Sequence, residues 1–177
     1  MTKAGLLVIL IAIFAASATA QETPKVEVFA GYAYAGSGSN GFDTSVIGNV
    51  NRWFGVGADI SGQFSRLNDN GIREKINSTS FLFGPRFSVR KNKKVTPFIQ
   101  AMFGVSRIHT ETNEFGPLVS FHDNSFGMAA GGGLDVRLND SIALRVFQID
   151  YLRTQFFNQT QNKGRIAAGL VIRFGKK

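Results

Sequence analysis

The feature that most constrains this chain is an alternation of side chains with a period of two. Six segments place apolar residues on one parity and Gly, Ser, Gln or charged residues on the other. Successive side chains of a β-strand point to opposite faces, so this period predicts strands with two unlike faces. The six segments are Lys25–Ala35, Phe54–Ser65, Ile76–Arg90, Val95–Ile108, Phe126–Leu138 and Arg165–Phe174.

Two further segments complete a set of eight predicted strands. Thr44–Arg52 carries apolar residues on one parity. Ile142–Thr154 begins with clean alternation, and its polar phase then shifts at Val146 and Phe147. A β-bulge adds one residue to a strand and would return the apolar side chains to a single face. We therefore predict a bulge near Val146–Phe147.

The connections between the predicted strands alternate in length. The short polar turns lie at 51–53, 91–94 and 139–141. The longer polar segments lie at 36–43, 67–75, 109–125 and 155–163. Short turns at one end, long loops at the other and an even number of antiparallel strands are typical of transmembrane β-barrels.

Parity alone fits two barrels, a soluble lipocalin-like barrel with an apolar interior and a membrane barrel with an apolar exterior. Only 18% of the residues are charged, and the polar parity is rich in Gly and Ser and carries Arg rather than Lys. A narrow membrane-barrel interior accommodates small residues and paired charges. We predict an all-β, eight-stranded antiparallel up-and-down transmembrane β-barrel, with a soluble periplasmic barrel as the alternative.

Charged residues on the polar parity are predicted to form structural ion pairs in the lumen, because an unpaired charge there would be costly. Arg90, Asp135 and Arg165 share this parity. The lumenal ion-pair candidates are Glu27, Asp59, Arg86, Arg137, Arg145, Asp150 and Arg173.

The N-terminus has the layout of a secretory signal peptide. Lys3 precedes the apolar run Leu6–Ala16, and small residues at 18 and 20 precede Gln21. The run is shorter than the about 20 residues that a membrane-spanning helix needs. We predict a cleaved signal peptide at 1–20 and one barrel domain at 21–177. The chain has no Cys, which excludes disulfides and thiolate chemistry.

Few residues could carry chemistry. His109 and His122 both fall in the third long segment, where Asp123 and Ser125 follow His122 closely. Neighbouring residues of a strand point apart, and two His without a defined geometry are weak support for a metal site. The interior of eight strands is just filled by side chains, which disfavours a pore. We predict no catalytic site, no metal and no cofactor, with a lipid A-modifying enzyme and a small-solute channel as alternatives.

The chain has a formal charge of +8, which raises the question of a polyanionic partner. Lys91, Lys93 and Lys94 fall in one short turn without interleaved aromatic residues, so we expect no nucleic-acid binding. Cations in the loops are instead expected to meet anionic lipopolysaccharide head groups.

The exported signal, the eight strands and the last strand resemble the small outer-membrane β-barrel family of Gram-negative bacteria. That family includes the OmpA transmembrane domain, the OmpX/Ail proteins and the opacity-type proteins. The closing segment 164–174, GRIAAGLVIRF, is similar to the family's last strand, whose terminal aromatic is read by the barrel-insertion machinery. Leu144–Leu152 looks like its penultimate strand. Gly175, Lys176 and Lys177 follow Phe174, so the aromatic residue is not the final one.

The resemblance implies a structural or surface-interaction role in the outer membrane, without catalysis. It implies outer-membrane lipids and lipopolysaccharide as partners, together with the barrel-assembly machinery during insertion. The long loops are expected to meet an extracellular ligand. We expect no periplasmic peptidoglycan-binding domain in this sequence.

Overall fold

The structure, a computed structural model, describes residues 23–36, 38–69, 72–112, 119–156 and 159–176. These residues form a closed barrel of eight antiparallel strands in chain order, and β8 pairs with β1. The predicted fold class is confirmed. The strands are β1 (Pro24–Ala35), β2 (Ser39–Asn49), β3 (Phe54–Asp69), β4 (Ile72–Ser88), β5 (Val95–Thr112), β6 (Val119–Arg137), β7 (Ile142–Phe156) and β8 (Gln159–Lys176).

The predicted signal peptide lies outside the described residues. Within the described ranges, no helix has the length and the apolar character needed to cross a membrane.

The segments predicted as long loops are mostly strand, and that prediction was wrong. The hairpins β3–β4, β5–β6 and β7–β8 leave only residues 70–71, 113–118 and 157–158 between their strands. Likewise, β2 already begins at Ser39. Polar side chains on both faces remove the alternation that reveals a strand in the sequence, whereas the backbone ladder forms regardless of side-chain polarity.

The predicted bulge in β7 is confirmed. Leu134 of β6 pairs with Phe147, and the next residue, Asp135, pairs with Arg145. Val146 is therefore the extra residue, and the β7–β8 ladder is irregular at the same point. Val146 and Phe147 are both exposed on the outer face. The bulge thus keeps the apolar residues on both sides of it on the outside of the barrel.

The strand register sets the tilt of the strands. From Tyr34 in β1, ladder partners through β2, β3 and β4 lead to His109 in β5. Partners through β8, β7 and β6 lead instead to Ile99 of β5, ten residues away. With a rise of about 3.3 Å per residue and a strand spacing of about 4.8 Å, this stagger gives a tilt of about 40°.

The barrel has an apolar outer face and a polar inner face. Phe83, Ile99 and Phe126 are each more than 60% exposed, whereas Arg86 is buried. The outward-facing residues of β3 run from the half-buried Phe54 to the exposed Phe64. At the tilt given above this stretch rises about 25 Å, which is the height of the apolar band of a membrane barrel.

Asparagines close the short turns. The Asn51 Oδ1 accepts hydrogen bonds from the backbone N–H groups of Trp53 and Phe54 at 2.9 and 2.8 Å. Asn92 and Asn139 make the same kind of bond in the other two turns. Such Asx turns let a three- or four-residue connection reverse the chain. Beside the first turn, the ring of Trp53 stacks on that of Phe87 at 5.9 Å, a cluster typical of a membrane interface.

The seam between β1 and β8 leaves no room for a side chain at Gly169. A Cβ there would lie 2.3 Å from the carbonyl oxygen of Ala30 and 2.4 Å from the Cα of Gly31. We expect G169A to destabilise the barrel by about 1–3 kcal/mol, as overpacking does. Urea unfolding of the barrel in detergent micelles measures this change.

The matched control for this seam is G48A. The atom nearest to a Cβ at Gly48 is 3.7 Å away, which is ordinary contact. We expect G48A to unfold at the same urea concentration as the unmodified barrel. Equal unfolding midpoints for G48A and G169A would contradict the packing argument.

Candidate functional site: the charged interior and the hairpin rim

The barrel interior encloses equal numbers of acidic and basic side chains. Among the described residues, five carboxylates and five guanidinium groups are almost fully removed from solvent, so their formal charges cancel. The carboxylates belong to Glu27, Asp43, Asp59, Asp135 and Asp150, and the guanidinium groups to Arg86, Arg90, Arg145, Arg165 and Arg173.

Arg165 is the centre of the largest cluster. Its guanidinium nitrogens lie 2.7 Å from the Asp150 Oδ2, 3.3 Å from the Asp59 Oδ1 and 3.4 Å from the Asp43 Oδ2. The structure therefore brings Asp59 and Asp150 together on one arginine. Asp43 is an interior carboxylate that sequence reasoning missed, because its segment was interpreted as a loop.

The guanidinium group of Arg145 contacts a carboxylate at its edge and aromatic rings at its faces. Its guanidinium donates to both carboxylate oxygens of Asp135, at 2.8 and 3.2 Å. It also lies 4.1 Å from the centroid of the Phe29 ring and 4.4 Å from that of Phe98. Stacking of this kind stabilises a guanidinium away from water.

Arg86 does not form the predicted ion pair with a described carboxylate. It donates two hydrogen bonds to the Gln100 Oε1, at 2.6 and 3.1 Å, and its guanidinium lies 4.3 Å from the Phe98 ring centroid. Phe98 thus contacts both Arg86 and Arg145. An amide and an aromatic ring satisfy this arginine in place of a carboxylate.

Two glutamines join these groups into one network. The Gln100 Nε2 donates to Asp150, while its Oε1 accepts from Arg86. The Gln148 Oε1 accepts from Arg145, and its Nε2 donates to Asp43 and Asp150. A glutamine can bridge in this way because its amide carries both a donor and an acceptor. Sequence reasoning missed both glutamines, which the polar parity of their strands could have revealed.

A second cluster surrounds Glu27 near the short turns. Arg90 donates to the Glu27 Oε2 at 2.8 Å, and Arg173 donates to the Oε1 at 3.2 Å. Asn49 adds a hydrogen bond to the same carboxylate. The structure therefore brings together Glu27 and Arg173, two of the residues singled out in the sequence.

Arg137 lies outside the interior network, contrary to its selection as a lumenal residue. It pairs with Asp140 at 2.6 Å in the third short turn, where both side chains reach solvent. Arg137 is the last residue of β6, so its side chain can turn toward the adjacent connection. Parity assigns a face along a strand and does not determine the direction of a side chain at a strand end.

Above the interior network, described residues line a small cavity. A cavity of about 40 Å³ lies beside Ser61, Gln63 and Lys163, which is room for a few waters. Ligand pockets for small molecules are commonly about 300–1,000 Å³. Both amide atoms of Gln63 are buried there without a hydrogen-bond partner among the described residues.

The sequence His122–Ser125 does not form a catalytic group. His122 is exposed on the outer face of β6, whereas the Ser125 Oγ is buried and accepts from the backbone N–H of Gln155. The His122 ring stacks with that of its ladder partner His109 at 5.8 Å, on the outer wall. In the part of the chain that the structure describes, no group of three or more His, Cys, Asp or Glu residues could hold a metal ion.

The rim of the barrel opposite the short turns is uneven. The β1–β2 ladder ends at Ala35 and Ser39. The β3–β4 ladder continues to Asp69, five residues beyond Phe64, where pairing between β2 and β3 stops. The β5–β6 ladder continues past Val105 to the pair Thr112 and Val119, and the β7–β8 ladder continues past Arg165 to the start of β8. Three hairpins therefore rise above a low β1–β2 edge, and we call these hairpins the rim hairpins.

The chain matches a known family over nearly its whole length. Residues 6–174 match the family model described as "Outer membrane protein beta-barrel domain". The chain belongs to this family. The outer membrane is accordingly the location of this protein, and the exposed apolar band is its lipid-facing surface.

Solved structures of other proteins share this barrel fold. The attachment invasion locus protein Ail of Yersinia pestis is similar with a TM-score of 0.63 and 18% identity, over 86% of this chain and 100% of Ail. Neisserial surface protein A is similar with a TM-score of 0.55 and 16% identity, over 84% of this chain and 96% of that protein's chain. The N-terminal barrel of Pseudomonas aeruginosa OprF is similar with a TM-score of 0.53 and 9% identity, over 87% of this chain and 100% of the OprF barrel. A search of curated protein sequences finds no significant match.

Replacing Arg165 tests the charge balance inside this outer-membrane barrel. R165M removes the cation between Asp43, Asp59 and Asp150, and we expect a loss of about 3–5 kcal/mol of unfolding free energy. R137Q is the control, because Arg137 and Asp140 form an exposed pair worth at most about 1 kcal/mol. Urea unfolding in detergent micelles measures the unfolding free energies of R165M and R137Q. A smaller loss for R165M than for R137Q would contradict a balanced interior.

Conductance tests whether the interior is closed. In planar bilayers we expect the unmodified barrel to add no steady current, because side chains occupy the lumen. R86A/F98A removes a stacked arginine and ring while leaving all five carboxylates, and we expect it to raise the conductance. Steady single-channel openings of the unmodified protein would contradict a closed interior.

Proposed function

We propose that this protein is a non-catalytic outer-membrane barrel whose rim hairpins bind ligands at the cell surface. The wall acts as a rigid support, and binding residues are commonly presented on loops and hairpins above such a scaffold. The observation that carries the proposal is the height of the rim hairpins above the β1–β2 edge.

The orientation follows from the two ends of the barrel. Outer-membrane barrels have short periplasmic turns and longer extracellular connections. The turns at 51–53, 91–94 and 139–141 accordingly face the periplasm, and the rim hairpins face the outside. Residues 1–20 serve as the cleaved export signal in this proposal, and residues 21–177 form the exported domain.

Assembly makes use of the last strand. The aromatic Phe174 is exposed on the outer face of β8. Gly175 follows it with a φ of 65°, and the strand continues to Lys176, which pairs with Pro24 of β1. We propose that the barrel-assembly machinery recognises this strand during insertion.

A polyanionic saccharide is the ligand class that we propose for the rim hairpins. The Ail protein of Yersinia pestis has been crystallised in complex with the heparin analogue sucrose octasulfate. This chain is similar to that structure with a TM-score of 0.59 and 16% identity, over 87% of this chain and 99% of Ail. Heparin is therefore the first probe.

Catalysis and conduction have less support. His122 and Ser125, the residues considered for a lipid A-modifying enzyme, lie on opposite faces of the wall. The balanced ion-pair network occupies the path that a solute channel would need. A surface-binding role requires neither a catalytic cleft nor an open lumen.

Trimming the rim hairpins tests the proposed function. Arg66 and Lys75, Glu111 and Ser120, and Gln155 and Thr160 are ladder partners. An Asn-Gly turn can therefore join each pair as a two-residue hairpin. We expect cells displaying the triple-trimmed barrel to bind heparin-coated beads at least about tenfold less than cells with the full barrel, a loss of about 1.4 kcal/mol.

Folding and specificity need separate controls. Heat-modifiable mobility on gels shows whether the trimmed barrel still folds and inserts. Trimming only the β7–β8 hairpin shows whether one hairpin dominates. Full retention of heparin binding by a folded triple-trimmed barrel would refute the proposed role of the hairpins.

A further inference from the structure

The short-turn end of the barrel has a large excess of cations over carboxylates. Among the described residues at this end, the one carboxylate outside the interior is that of Asp140, which pairs with Arg137 at 2.6 Å. The cations are Lys25, Arg52, Lys91, Lys93, Lys94 and Arg137. The three lysines of the turn 91–94 are exposed and have no ion pair with a described carboxylate. We call this turn the lysine turn.

The positive excess is specific to this end of the barrel. Just inside the short turns, Arg90 and Arg173 share the single carboxylate of Glu27, so this interior cluster adds a further positive charge. The rim-hairpin segments 66–75, 107–123 and 153–163 contain six cationic and five acidic residues in the sequence. The net positive charge is therefore concentrated at the short turns.

Hydrogen bonds fix the lysine turn to both neighbouring turns. Inside it, the Asn92 Oδ1 accepts from the backbone N–H of Lys94 at 2.8 Å. The carbonyl of Lys94 accepts from the backbone N–H of Arg137 at 2.7 Å. On the other side, the Arg90 guanidinium donates to the carbonyl of Arg52 at 2.7 Å. An ordered backbone presents the three lysines, which lowers the entropy lost when they bind a partner.

The lysine turn projects beyond the aromatic cluster at the membrane interface. Phe87 stacks on Trp53 in that cluster, and the hairpin continues through a hydrogen bond from the Val89 N–H to the Pro97 carbonyl. Lys91 is four residues beyond Phe87, which is about 10 Å at the tilt given above. The headgroup layer on one side of a bilayer is about 5–8 Å thick. The lysine turn therefore reaches past the headgroups into the aqueous phase.

We propose that the lysine turn binds the peptidoglycan layer through the carboxylates of its peptide stems. Peptidoglycan is a polymer with many carboxylates that lies beneath the outer membrane, and clustered cations attract such a polymer. A lysine ammonium group has three rotatable donors on a flexible stem, which suits carboxylates that approach from varying directions. The proposal rests on the proposed orientation, with the short turns in the periplasm, and needs no separate periplasmic domain.

The test compares charge-matched variants in peptidoglycan sedimentation. K91Q/K93Q/K94Q removes the cations of the lysine turn, and K75Q/R107Q/R153Q removes three cations at the other end of the wall. Barrels in nanodiscs of zwitterionic lipid, which leave both ends in water, are sedimented with purified sacculi. A cation near an anionic surface contributes about a factor of five, so we expect at least about tenfold weaker binding for K91Q/K93Q/K94Q. We expect unchanged binding for K75Q/R107Q/R153Q.

Peptidoglycan with amidated carboxylates provides the second arm. We expect it to bind the unmodified barrel as weakly as intact peptidoglycan binds K91Q/K93Q/K94Q. Equal binding of intact peptidoglycan by the two charge-matched variants, or no effect of amidation, would overturn the proposal. Nanodiscs that contain phosphatidylglycerol test a lipid partner. Loss of peptidoglycan binding in them would assign the lysines to lipid headgroups and would also overturn the proposal.

Whole cells separate this inference from the proposed role of the rim hairpins. Heparin-coated beads reach only the cell surface, so we expect cells displaying K91Q/K93Q/K94Q to bind them as strongly as cells with the unmodified barrel. Loss of that binding would mean that the lysine turn faces outward and would overturn the inference. Retained heparin binding by the triple-trimmed barrel would refute the role of the rim hairpins alone. Heat-modifiable mobility on gels shows that each variant has folded.

Discussion

Closure of the sheet is the constraint on which the rest of this structure depends. No water is available in the hydrocarbon layer to satisfy an open strand edge, so each backbone donor and acceptor must pair within the wall. The β1–β8 ladder meets this requirement from Val26 to Ala35. Gly31 and Gly169 face each other in that ladder, where a side chain would collide with the opposite backbone.

A closed eight-stranded wall also dictates the chemistry of the interior. Its lumen is just wide enough for side chains, and the long polar ones meet there at hydrogen-bond distance. Neutrality then follows from the cost of an unpaired buried charge. Arg165 contacts three aspartates, while Gln100 and Gln148 link this cluster to the stacked arginines, so that charge is balanced over the whole network. The lumen thereby becomes a rigid core, which leaves the rim for the surface-binding role proposed above.

Much of the fold was predictable because alternation is a local property. The eight strands, the bulge at Val146 and the polar interior all follow from the parity of neighbouring residues. The ends of the rim hairpins were not predictable, because a strand that is polar on both faces has no period to detect. Arg137 was misplaced for a related reason: at a strand end, a nearby partner such as Asp140 decides where the side chain lies.

The sequence by itself determined which residues share a face, since that depends only on the pleat of a strand. It could not determine which of them meet, since contacts across a barrel depend on the stagger of all eight strands. Only the tertiary structure showed that Arg86 contacts Gln100 and Phe98. It also showed that Arg165 contacts a carboxylate 106 residues away in the chain.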